Sequence, residues 1–236
     1  MTKQSCPDYP AAQEHKEEAE RKAVERRKHS TARDAQPAGI WEERIQEFYS
    51  RVATVENDTE RKILLLDTLR RAAEDAGRTP PVLVGGSAVE LYSMGGYASL
   101  DVDLTGDESF LADFARRLGL ENDPSYPNIF FSREKRLILD IRGKMDIDGA
   151  EARKKMLNMG DSRIVVAVSL EDIIVDRLAG YKWGGHAPSR HIAELLIRVN
   201  TDGLDTTLLR QLAADEDLAP ELEEILNNYP ELQKTK

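Results

Sequence analysis

The sequence predicts an α/β fold: a mixed β-sheet core flanked by helices, with a helical C-terminal portion and a charged N-terminal arm. Short apolar runs of strand-like composition alternate with stretches whose apolar residues recur every three or four positions. Glycine, proline or a capping hydroxyl stands at most of the junctions between them. Beyond about residue 188 only the helical period persists. The 236 residues suffice for one large domain, or one domain with a small helical unit, and can bury a sizeable core.

Residues 1–38 read as the arm. The run from Gln13 to Lys22 is rich in helix formers but has almost no apolar stripe, which fits a solvated helix or a disordered segment. The core region, 39–200, opens with Trp41, Ile45, Phe48, Tyr49 and Val52 at helical spacing. Ile63 to Leu69 with Ala72, Ala73 and Ala76 make a second amphipathic helix, stopped by Gly77 and Pro80-Pro81. Next are expected a strand over 82–85, a helix over 87–94, a strand over 99–105 and a helix over 108–118. Ile129–Phe131 and Leu137–Ile141 predict two more strands around a charged turn at Arg133–Lys135, and Ile164–Val168 a fifth. Ser169, with Asp172 three residues on, caps a helix over 170–182. Trp183-Gly184-Gly185 stops that helix, with Trp183 expected in the core. Helices near 188–200, 205–214 and 220–228 follow, the last two making up the C-terminal segment 201–236.

Composition excludes several classes. No apolar run approaches the ~20 residues that span a bilayer, so no membrane association is expected. The first residues lack the apolar stretch of a secretion signal, and a cytoplasmic location is the expectation. Cys6 is the only cysteine, which rules out internal disulfides and Cys-based zinc sites. His15, His29, His186 and His191 show no ligand spacing. The net charge of -10 argues against a large nucleic-acid-coating surface, yet the charge is uneven. Between Arg133 and Arg163 nine basic residues face six acidic ones, while the stretch after Thr201 is acidic. A local basic patch for a phosphate chain remains compatible with this balance.

The chemistry-bearing segment is Val82-Leu83-Val84-Gly85-Gly86-Ser87, followed after thirteen residues by Asp101-Val102-Asp103. Glycines at the end of a strand let backbone approach a bound phosphate. Asp101 and Asp103, two positions apart on an expected strand, would share one face and could share a divalent cation. The plainer alternatives are a tight strand-to-helix turn at Gly85-Gly86 with Ser87 as N-cap, and an Asp140 that only pairs with Arg142 or Arg136. The two like charges at 101 and 103 are harder to explain without a cation, because such a pair costs stability unless it is neutralised.

This pattern resembles the DNA polymerase β-like nucleotidyltransferase superfamily, whose signature is an apolar strand, Gly-Gly or Gly-Ser, about a dozen residues, and Asp-x-Asp or Asp-x-Glu. The segment Leu170-Glu171-Asp172-Ile173-Ile174-Val175-Asp176-Arg177-Leu178-Ala179-Gly180-Tyr181-Lys182 also looks like the helix after the catalytic core in AbiEii-like members. The resemblance spans roughly residues 60–200. It implies a third carboxylate on a neighbouring strand, at Asp140, and two Mg²⁺ (or Mn²⁺) ions about 3.5–4 Å apart. On that basis Asp101 and Asp103 would hold the metal that escorts a nucleoside triphosphate, and Asp101 with Asp140 the metal at the acceptor hydroxyl. Gly85, Gly86 and Ser87 would cradle phosphates at a helix N-terminus, and Lys182 and Arg190 would contact the triphosphate unless they are merely exposed helix-end charges.

The implied activity is Mg²⁺-dependent transfer of NMP from an NTP to a hydroxyl on RNA (tRNA included), a protein or a small molecule, with an antitoxin as a possible partner for a toxin-like enzyme. AbiEii-like toxins usually carry an arginine shortly before the Asp-x-Asp. Here that stretch is Met94-Gly95-Gly96-Tyr97-Ala98-Ser99, which keeps only the small hydroxyl and leaves subfamily and acceptor open. A catalytically silent nucleotidyltransferase-like protein that binds nucleotide or a partner is the alternative. An unrelated phosphoesterase-like metal module is disfavoured by the lack of a His–Asp constellation.

Overall fold

The computed structural model describes residues 39–142 and 153–233. The chain divides into two units, Met1–Gly39 and Ile40–Lys236, and the fold below is that of the second. The arm expected over 1–38 lies outside the described residues.

Two helices open the fold, α1 (Gly39–Val52) and α2 (Asp58–Asp75). Asn57 caps α2, its side chain accepting from the Glu60 amide at 2.9 Å. Leu64, Leu65, Leu66, Leu69, Ala72 and Ala73 of α2 are buried, and the helix packs against a strand of the sheet. That sheet has seven strands: β1 (Val82–Leu83), β2 (Val102–Thr105), β3 (Glu121–Asp123), β4 (Tyr126–Ser132), β5 (Leu137–Arg142), β6 (Lys155–Asn158) and β7 (Ile164–Ala167). Their order is β3-β4-β5-β2-β1-β7-β6. β1 runs antiparallel to β2 and parallel to β7, and β2 runs parallel to β5. The expected α/β class, a mixed sheet with flanking helices, is what the chain forms.

α3 (Gly85–Tyr92) joins β1 to β2, and α4 (Glu108–Arg117) follows β2. The edge strands β3 and β6 were not expected from sequence. Glu121-Asn122-Asp123 and Lys155-Met156-Leu157-Asn158 are polar or mixed, and their pairing with β4 and β7 comes from tertiary contact. Charged, short edges of this kind discourage pairing with another chain.

Two expected boundaries shift, with consequences for the site. The first strand ends at Leu83 and the helix begins at Gly85, not 87, because Gly85 takes φ +59° and turns the chain at once. The second strand begins at Val102, not 99, so Asp101 lies in the bend just before it.

The C-terminal portion consists of α5 (Leu170–Lys182), α6 (Ala187–Val199), α7 (Thr206–Asp215), α8 (Ala219–Leu226) and a 3₁₀ turn at Pro230–Gln233. Ser169 caps α5 as expected, accepting from the Asp172 amide at 3.1 Å. The Asp172 carboxylate is held by Arg153 through Nε and Nη2. α6 and α7 both pack on α5, and α8 packs on α7. Trp183, expected in the core, is instead 64% exposed. It is the C-cap of α5, where the chain turns off through Gly184 and Gly185, and the Lys182 ammonium lies over its ring at 4.7 Å.

Candidate active site

Two neighbouring strands and one bend bring the three expected carboxylates together. Asp103 and Asp140 stand opposite each other in the parallel β2–β5 register, and Asp101 enters from the bend before β2. One carboxylate oxygen from each lies within 4.8 Å of the other two. Asp103 is buried, while Asp101 and Asp140 are partly exposed.

Each carboxylate has its own supports. Asp103 Oδ2 accepts from the Gly86 amide at 2.9 Å and lies 3.4 Å from the Ser87 amide. Val84, at the N-cap of α3, has no side chain able to cap, and Asp103 does that work from across the sheet. The negative carboxylate also sits favourably at the positive end of the helix dipole. Ser87 is therefore not the N-cap. Its hydroxyl accepts from the Asp103 amide at 2.8 Å and donates to the Asp101 carbonyl at 3.0 Å, with Asp103 Oδ2 an alternative acceptor at 3.3 Å. Asp101 accepts from the Ser99 hydroxyl at 2.8 Å.

The glycine pair is required by these close approaches. A Cβ on Gly85 would stand 2.6 Å from Asp103 Oδ2, and one on Gly86 would stand 2.9 Å from Ser99 Oγ. The Gly86 and Ser87 amides expected to cradle phosphate are directed at Asp103 here, so a phosphate at that end would have to share them.

Arg142, the last residue of β5, spans the cluster. Its Nη2 lies 2.9 Å from Asp103 Oδ1 and 2.7 Å from Asp140 Oδ2. Its side chain is nevertheless 56% exposed. Asp140 is held above the usual carboxylate range, chiefly by burial and further by the charges of Asp103 and Asp101, with Arg142 opposing them. The sequence offered Arg142 as a partner for Asp140 alone; its bridge to Asp103 depends on the β2–β5 register.

A buried support lies beneath the bend and was not anticipated. Lys62 on α2 and Glu90 on α3 form a buried ion pair at 2.7 Å. Glu90 also accepts from the Ser99 amide at 3.0 Å and from Thr59, while Lys62 donates to the Ser99 carbonyl. Both backbone groups of Ser99 are thus fixed, and its hydroxyl in turn holds Asp101. The available sequence signal was a charge of each sign placed inside an otherwise apolar helical pattern: Lys62 before Ile63-Leu64, and Glu90 after Ala88-Val89.

Lys182 and Arg190 are engaged at the C-terminal helices. Lys182 donates to the Asp217 carbonyl at 2.6 Å and pairs with Glu221 at 3.1 Å. Arg190 pairs with Glu224 at 2.8 Å and lies 5.6 Å from the centre of the Tyr181 ring. A phosphate contact by either would replace these partners.

An all-carboxylate donor set suits a hard cation such as Mg²⁺ or Mn²⁺. Comparison with family models and with curated proteins finds no match for this chain.

Proposed function

We propose that Asp101, Asp103 and Asp140 hold divalent cations, Mg²⁺ or Mn²⁺, and that the protein is a nucleotidyltransferase moving NMP from an NTP to a hydroxyl acceptor. The observation that supports this most is the convergence of the three carboxylates beside the β1–α3 turn. Asp140 alone could be a strand-end ion-pair partner. Three carboxylates brought together, with Asp140 disfavoured as an anion by burial and by the charges of Asp103 and Asp101, form an arrangement that a cation relieves.

Bound cations would supply charge neutralisation on the attacking, bridging and leaving oxygens. The rest of the chemistry falls to the chain. Asp103 is fixed by the helix N-terminus through Oδ2, which leaves Oδ1 facing the cluster. Asp101 is oriented by Ser99. The acceptor oxygen forms a bond to the α-phosphorus while the α–β bridging bond breaks, pyrophosphate leaves, and the hydroxyl proton passes to a carboxylate oxygen of Asp140. Lys182, Arg190 and the backbone around Gly85, Gly86 and Ser87 are the proposed phosphate contacts, the two basic side chains after exchanging their present partners. RNA, including tRNA, a protein side chain and a small molecule are the acceptor classes, and an antitoxin is the partner expected if a protein target proves correct. Among the described residues no helix is long and apolar enough to cross a membrane. A cytoplasmic site of action is part of the proposal.

Incubation with each α-³²P-labelled NTP, Mg²⁺ and a whole-cell extract of RNA and protein tests this. Label should enter a macromolecular or small-molecule acceptor only with the metal, and Asp101→Asn should abolish it. Label incorporation that survives in Asp101→Asn would remove the proposed centre. The catalytically silent alternative is favoured by one observation, the Arg142 guanidinium that pairs with both Asp103 and Asp140 and offsets part of their charge. It requires that no labelled NMP enter any acceptor, while nucleotide or a partner protein still binds.

A further inference from the structure

We infer that Arg142 exchanges partners when ligand binds, releasing Asp103 and Asp140 to a divalent cation and taking up the phosphates that arrive with it, so that the site selects a metal–polyphosphate complex over a free metal ion. The inference rests on the metal centre proposed above and assigns a residue to its selectivity.

A single guanidinium nitrogen spans the two carboxylates that stand in register, at 2.9 and 2.7 Å. It therefore supplies the positive charge at the edge of the cluster where a cation would contact Asp103 Oδ1 and Asp140 Oδ2. The other oxygen of Asp103 is committed to the Gly86 amide. A cation taking both facing oxygens would have to share each with the Arg142 guanidinium, at close range to its charge. Free metal thus has to compete with an ion pair and leave a guanidinium beside a new positive centre, which is unfavourable at short range.

A metal–polyphosphate complex changes that balance. It brings a cation for the carboxylates and oxyanions for the displaced guanidinium, whose planar fork suits phosphate oxygens. Arg142 is free to make the move. It ends β5, and its side chain is more than half exposed, unlike Asp103, which is buried at the helix terminus. The consequence is thermodynamic coupling: metal and polyphosphate bind together more tightly than their separate affinities imply, by a factor on the order of 10 within the ordinary range for linked sites.

Binding of Mn²⁺ to the full-length protein, read by loss of the free-ion EPR signal, and binding of Mn²⁺–tripolyphosphate, read by calorimetry, test the exchange in wild type, Arg142→Gln, Arg142→Lys and Asp101→Asn. Arg142→Gln should bind free Mn²⁺ roughly 10-fold tighter and Mn²⁺–tripolyphosphate roughly 10-fold weaker than wild type. Arg142→Lys keeps the charge without the fork and should fall between them in both measurements. Thermal melts establish that each variant is folded. Free Mn²⁺ binding that is unchanged or weaker in Arg142→Gln overturns the exchange, as does unchanged affinity for the tripolyphosphate complex. If Asp101→Asn loses Mn²⁺ in those cases, the metal centre stands and only the role of Arg142 falls. If wild type and Asp101→Asn bind Mn²⁺ equally, the metal centre itself is wrong.

Discussion

Asp101 sits outside the strand that its spacing suggested, and its position depends on a chain of contacts that starts in the core. Lys62 and Glu90 fix both backbone groups of Ser99, and the Ser99 hydroxyl fixes the carboxylate. Removing one partner of a buried pair leaves an uncompensated charge, so Glu90→Gln should cost about 3 kcal/mol in chemical denaturation. Glu90 also gives a pH signature. Burial pushes its carboxyl up, but Lys62, Thr59 and the Ser99 amide outweigh that and leave it below its ordinary value. A depressed carboxyl contributes stability that is complete above its unfolded value, about 4.3, and is lost as pH falls through the folded value. The stability gap between wild type and Glu90→Gln should therefore be constant near neutrality and shrink below about pH 4. A gap unchanged down to pH 3 would show that the pair is not the source. Ser99→Ala leaves the Lys62–Glu90 pair in place and should weaken Mn²⁺ binding with little loss of stability.

The α3 helix shows how one element ties the fold to the site. Its N-terminus has no cap of its own, and Asp103 supplies one from β2. The three carboxylates should accordingly separate in metal-free denaturation. Asp103→Ala removes a helix cap and should cost about 1–2 kcal/mol. Asp140→Asn removes a charge that its surroundings disfavour and should raise the metal-free melting temperature slightly. The Asp140 carboxyl lies above its ordinary value, so its effect has the opposite sign to that of Glu90: the wild-type deficit relative to Asp140→Asn should vanish as pH falls below the unfolded carboxyl range. Equal stability losses for Asp103→Ala and Asp140→Asn would contradict this division of labour. Gly85→Ala strains the same junction twice, through φ +59° and through the 2.6 Å approach to Asp103. A loss of about 1–3 kcal/mol is expected, and Gly77→Ala, where φ is +63° with nothing within 4 Å of the added Cβ, should cost less.

At the scale of the whole molecule, α7 and α8 extend the core through α5. Leu209, Leu218, Leu222 and Leu226 are fully buried, and each such side chain is worth roughly 1.5–3 kcal/mol when removed from water. Ending the chain at Asn200 should therefore lower the melting temperature sharply or yield insoluble protein. The same cut removes Glu221 and Glu224 from Lys182 and Arg190. A truncated protein that melts like the full chain would show that the last helices are dispensable to folding.

The sequence by itself determined the α/β class, the helices with clear apolar periods, the five apolar strands and the Gly85-Gly86 turn with its Asp101-Val102-Asp103 pair, whereas the meeting of that pair with Asp140, expected from the family resemblance, rests on the β2–β5 register. Those features are local: burial of Leu83, Leu104 and Leu139 is written into apolar runs, and the caps at Asn57 and Ser169 lie next to the helices they serve. Tertiary structure decided the rest. Strands β3 and β6 form because β4 and β7 offer edges, against the preference of their own residues. Trp183 is exposed because α5 ends there and the chain turns away. The bridge from Arg142 to Asp103, the cap that Asp103 places on α3, and the Lys62–Glu90 support under Ser99 join residues 9 to 39 positions apart in the chain. Periodicity and local spacing carry no information about such pairs, because their partners are chosen by strand order and register.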